Sequence, residues 1–142
     1  MKDDLQVGQV LWLRVRYQID VVSEISHPML IAKIEDDYIE IIAIDKLYGK
    51  FQNLYHNYNW YINSDNPKET VIYEDSYAQF NTKLTIEKFS ELVNYRRTKD
   101  LLSSSKLKDL LEGYKDYQQN NKIKEERIVH MTKYEILELN SV

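Results

Sequence analysis

The 142-residue chain contains no cysteine, which excludes a disulfide, a thiolate metal site and a cysteine nucleophile, and gives no sign of an oxidising compartment. Three glycines are too few to build phosphate-cradling loops, and no G-x-S-x-G, P-loop or G-x-G-x-x-G pattern occurs. With two prolines as well, collagen-like and low-complexity classes are excluded. The three histidines, His27, His56 and His130, show neither helical i, i+4 pairing nor an adjacent carboxylate pattern, so no metal site and no cofactor are expected. No uncharged apolar run approaches the ~18 residues that span a bilayer, and Met1-Lys2-Asp3-Asp4 has neither the basic start nor the apolar core of a signal peptide. A cytoplasmic protein with no membrane partner is the expectation.

What the chain does have is a 43% hydrophobic and 30% charged composition, enough for one globular domain spanning 1–142. The net charge of −4 argues against nonspecific coating of nucleic acid, which needs many cationic phosphate contacts. Charge is unevenly placed: residues 1–71 carry 7 basic and 11 acidic side chains, whereas 83–108 carry 7 basic and 3 acidic. Twelve tyrosines and two tryptophans are a heavy aromatic load, dense in Tyr55-His56-Asn57-Tyr58-Asn59-Trp60-Tyr61.

Apolar residues alternate with period two through the first half, which predicts strands over 9–17, 29–34 and 38–44, the last two as a hairpin around Glu35-Asp36-Asp37. In the first strand Leu11, Leu13, Val15 and Tyr17 share one face, leaving Trp12, Arg14 and Arg16 on the other. Residues 45–50 read as a loop, 57–62 as an aromatic strand, 63–67 as a turn, and 69–73 and 76–80 as further strands. From Thr85, a candidate N-cap, the period becomes helical to about 95, and a second helix is expected over 105–119 with the stripe Leu107, Leu110/Leu111, Tyr114 and Tyr117. The tail, 120–142, reads either as a strand over 127–131 or as a short helix with a Thr132/Glu135 capping box. The expected class is α+β: a small curled antiparallel sheet or barrel over about 5–82, with helices at one side.

The residues suited to chemistry are His, Lys, Arg, Ser and carboxylates at strand ends. Histidine exchanges protons near neutrality as a residue type, so His27 at a strand mouth is a candidate acid or base, with Lys46 or Arg14/Arg16 to neutralise a phosphate. RNA carries its own 2′-OH nucleophile, so such a site needs only an acid or base, a cation and aromatic platforms for splayed bases. Each candidate also has a structural reading: His27 as a surface loop residue before Pro28, the Tyr/Asn/Trp stretch as edge-strand packing, and Arg96-Arg97 as a solvated helix end.

The order of signals resembles the MazF/PemK/Kid family of toxin endoribonucleases over roughly residues 5–119. Val7-Gly8-Gln9-Val10-Leu11 is similar to that family's opening strand, His27-Pro28-Met29-Leu30-Ile31 falls at its Arg-Pro strand, and Glu40-Ile41-Ile42-Ala43-Ile44-Asp45 resembles its third strand. Glu69-Thr70-Val71-Ile72, Ser76 to Phe80 and the segment at 85–95 resemble its closing strands and first C-terminal helix. The resemblance implies an SH3-like barrel with C-terminal helices, a homodimer, metal-independent cleavage of single-stranded RNA, and an antitoxin, protein or RNA, as partner. The positions of the family's catalytic Arg and Ser/Thr are His27 and Asp45 here, and a further family Arg falls near Ala78. The expected catalytic set is therefore His27 as acid or base, Asp45 as its orienter or as the base, and Lys46 and Ser76 as substitutes; the RNA contacts would be Trp12, Arg14, Arg16, Lys33, Tyr58 and Trp60. Replacement of the family's catalytic residues leaves two rivals: a noncatalytic SH3-like module whose groove holds a protein or RNA partner, and an accessory protein with no ligand.

Overall fold

The structure, a computed structural model, describes residues 4–47, 49, 51–63, 71–72 and 74–141, with only the backbone of residue 51. It is mixed α+β and mostly sheet. The strands are β1 (Val10–Leu13), β2 (Arg16–Gln18), β3 (Val21–Val22), β4 (His27–Ile34), β5 (Tyr38–Lys46), β6 (Asn59–Ile62), β7 (Ser76–Gln79), β8 (Lys83–Glu87) and β9 (Ile128–Met131). The helices are α1 (Ser104–Asn120) and α2 (Lys133–Leu139), with 3-10 turns at Phe51–Tyr55, Ser90–Tyr95 and Glu125–Arg127.

Seven strands form one sheet in the order β1-β4-β5-β7-β6, with β8 and β9 branching from β5. The branch exists because β5 is 9 residues long: its first half, Tyr38 to Ile41, pairs with β8, and its last three residues, Ile44 to Lys46, pair with β7. Among the described residues the sheet does not close into a barrel. The expected antiparallel order holds except at β8–β9, which run parallel.

Both faces are buried, and this corrects the expectation of helices on one side. Leu11, Leu13, Met29, Ile31, Ile39, Ile41, Leu84 and Ile86 pack with Val129 and Met131 of β9 in the same sheet and with Leu92 and Ile136, so the Ser90–Tyr95 turn and α2 cover this face. Val10, Leu30, Ile42, Ile44, Ala78 and Phe80 pack with Leu102, Leu110 and Tyr114 under α1, whose apolar stripe is the expected one.

Three boundaries differ from the sequence reading. The strand expected over 9–17 breaks after Leu13, because the backbone N–H and C=O of Arg14 both bond the Asn140 side-chain amide, at 2.6 and 3.0 Å, in place of a strand neighbour. The helix expected from Thr85 is instead β8 and a 3-10 turn, with Thr85 in mid-strand between Glu40 and His130. β5 runs on through Asp45 and Lys46, which were expected in a loop. Of the strand expected at 69–73 only 71 and 72 are described, and neither is strand; most of the turn at 63–67 lies outside the described residues. Both readings of the tail are realised in succession, since β9 is followed by α2 with Thr132 accepting from the Glu135 N–H at 3.2 Å. No described helix is long and apolar enough to cross a membrane.

Candidate functional site

The C-terminal end of β5 and the start of β4 form the floor of a cleft walled by the β2–β3 hairpin and residues 23–25. The β4–β5 register pairs Met29 with Ala43 and Ile31 with Ile41, so carried two residues further it sets His27 across from Asp45. Alternation along a strand puts both side chains on the face that carries Met29 and Ala43, and both line the cleft of about 540 Å³. That volume lies within the ~300–1,000 Å³ range of small-ligand sites.

Asp45 is held from the protein side. Its Oδ1 accepts from the Lys46 backbone N–H at 2.9 Å, and its Oδ2 accepts from the Tyr77 hydroxyl at 3.2 Å. Tyr77 is buried and is the cross-strand partner of Asp45; its oxygen accepts in turn from Asn53 Nδ2 at 3.0 Å. Neither bond to Asp45 comes from His27. The rest of the described lining is apolar, including Val15, Val22, Ile25 and Met29, or polar through Tyr17, Ser23, Glu24 and Gln79. It contains two carboxylates, Glu24 and Asp45, and no lysine or arginine. Among the described residues no three His, Asp or Glu side chains converge as a metal-binding group.

The other site residues expected from sequence fall elsewhere. Lys46 and Ser76 are paired with each other one residue beyond Asp45 and Tyr77, so they belong to the opposite face of the strands. Ser76 is buried there and its hydroxyl donates to the Glu74 carbonyl at 2.8 Å. The expected quartet is thus divided two and two by the sheet. Arg14 and Arg16 are both bonded within the fold: Arg14 donates to the Ser23 and Leu139 carbonyls at 2.9 and 3.2 Å, and Arg16 is ion-paired with Glu135 at 2.6 Å. The hydrogen bond to Glu135, together with its negative charge, raises the Arg16 pKa against the opposing effect of burial. Lys33 pairs with Glu35 at 3.2 Å and lies 6 positions along β4 from His27, about 20 Å at strand rise.

The aromatic candidates are scattered as well. Tyr58 stacks on His56 with ring centroids 4.9 Å apart, and Trp60 stacks on Phe80 at 5.7 Å and against α1 at Gly113. Trp12 carries the Arg97 guanidinium 3.7 Å above its ring, a cation–π contact rather than the solvated helix end expected for Arg97. Tyr77, Asn53 and Glu24 were missed by the sequence reading. Tyr77 could have been found only from its pairing with Asp45, which requires the β5–β7 register. Comparison with family models, with curated proteins and with solved structures finds no match for this chain.

Proposed function

We propose that the protein is a noncatalytic binding module, an SH3-like curled sheet whose cleft takes up a basic, amphipathic segment of a partner protein. The observation that supports this reading is the lining itself: the apolar side chains of Val15, Val22, Ile25 and Met29 beside the exposed carboxylate of Glu24. Such a surface attracts a lysine or arginine flanked by apolar residues and repels a polyanion. Val22 and Ile25, at the hairpin rim, are 37% and 64% exposed and offer apolar contact at the mouth.

Titration with a short peptide of alternating lysine and leucine tests this reading, with its glutamate–leucine counterpart as control. The lysine peptide is expected to bind, to weaken with salt, and to lose about fivefold in affinity in Glu24→Gln, a rim change worth about 1 kcal/mol. Equal binding of both peptides, or of neither, overturns the reading.

A second reading, a metal-independent endoribonuclease of the MazF/PemK/Kid type, is supported by one observation, that His27 and Asp45 both line this cleft. In it, Asp45, oriented by Tyr77, takes the proton of the attacking 2′-OH, and His27 protonates the leaving oxygen. This reading brings single-stranded RNA as substrate, a homodimer, a protein or RNA antitoxin and a cytoplasmic location. Its expected result is cleavage of mixed single-stranded RNA in the presence of a chelator by the wild type and not by His27→Ala. RNA left intact by both proteins removes it.

A further inference from the structure

We propose that Arg14 and Arg16 are positioning residues that latch the wall of the cleft to the segment 126–140, so that this segment sets how far the cleft opens. The proposal rests on the reading that the cleft is the binding site.

The β2–β3 hairpin is a sheet of its own with strands of 3 and 2 residues and a register break. A ladder this short is marginal in water. Apolar burial holds it on one side only, through Tyr17 against the core, since Ile19 and Val22 are 55% and 37% exposed. Bonds between Val15 and Ser23 close its base, and beyond them what fixes it is a set of bonds to distant chain. Arg16 spans two sides: Nε and Nη2 form a two-point pair with Glu135 at 2.6 and 3.1 Å, while Nη1 donates to the hairpin carbonyl of Ile19 at 3.2 Å. Nη2 also reaches the His130 carbonyl at 3.3 Å, and the Ile19 N–H donates to the Glu126 carbonyl at 2.9 Å.

Arg14 repeats the arrangement two residues earlier. Its Nε donates to the Ser23 carbonyl at the cleft wall, and its Nη1 to the Leu139 carbonyl at the end of α2. Both arginines therefore contact the wall with one edge and β9–α2 with another. A guanidinium suits this use because its planar fork offers five donors in fixed directions, whereas an ammonium gathers three at a single point. Glu135 lies outside the described lining of the cleft, and Arg16→Lys keeps the net charge, so a loss of binding shared by Arg16→Lys and Glu135→Gln reports the wall rather than the charge.

Hydrogen exchange of the full chain tests the latch, using Glu135→Gln and Arg16→Lys, with lysine–leucine peptide titration of the same proteins. Both variants are expected to exchange about tenfold faster at residues 17–25 with unchanged exchange at 29–31 and 41–43, and to bind the peptide several-fold more weakly. Unchanged exchange at 17–25, equal acceleration of the β4–β5 amides, or unaltered peptide affinity in variants with a loosened wall overturns the proposal. A wild type that binds no peptide, with selective loosening in both variants, removes the binding reading and leaves the latch standing.

Discussion

Tyr114→Phe is expected to destabilise the protein by about 2–3 kcal/mol, lowering the melting temperature by about 10 °C. The ring would stay, edge-on to Phe80 at 5.6 Å, and only the hydroxyl would go. That hydroxyl donates to Glu40 Oε2, and both residues are 8% exposed. Its loss strands a buried carboxylate oxygen under α1, and an abandoned partner costs more than the bond itself contributed. The double variant Glu40→Leu/Tyr114→Phe should recover most of the loss, because an apolar pair at this site leaves nothing unsatisfied. Additive losses in the double variant would show that the pair is not coupled.

The same contact gives the protein an alkaline limit. Burial, and then the bond to Glu40 and its charge, push the Tyr114 pKa well above the ordinary value near 10. A raised folded-state value means the folded chain keeps its proton while the unfolded chain gives it up. The stabilisation is therefore complete below about pH 10 and is lost as the pH rises beyond it. Chemical denaturation from pH 8 to 11 should show a decline in the wild type that is shallower in Tyr114→Phe.

Gly113→Ala should destabilise by about 1–2 kcal/mol, the opposite of what helix propensity alone gives. Replacing an interior helical glycine with alanine ordinarily gains up to about 1 kcal/mol. Here the new methyl would sit 2.7, 2.9 and 3.1 Å from three atoms of the Trp60 indole, a rigid ring that cannot fold away. The overpacking cost outweighs the propensity gain. In a Trp60→Leu background the same change should become stabilising, and denaturant midpoints of the four proteins read the reversal directly. A gain in stability with Trp60 present would show that the indole moves aside at little cost.

Local alternation was enough to read the β4–β5 hairpin, Pro28 near its start and the apolar stripe of α1, because each is written within a few residues. Residues 84–92 were misread because two periods fit: Ile86, Phe89 and Leu92 recur at three, while Leu84 and Ile86 alternate into the core as β8. Placing 45–50 in a loop hid a further deduction. Once Asp45 and Lys46 are successive residues of one strand, they must point to opposite faces, and the catalytic set cannot converge. The roles of Arg14 and Arg16 were beyond local reading, since Asn140 and Glu135 stand 126 and 119 positions away from them. Gly113 illustrates the same limit, as it lies on α1 and its partner Trp60 on β6.

The bond between Arg14 and Asn140 also has a consequence during synthesis. The 126 positions between them take roughly 6 to 25 s to translate at ribosomal rates. Through that interval β1 lacks the side chain that ends it, and β8, made later, lacks its parallel neighbour until β9 follows. The nascent chain thus presents an uncovered sheet border and bare core positions until residues 128–140 arrive, which makes that last stretch the step at which chaperone protection would matter most.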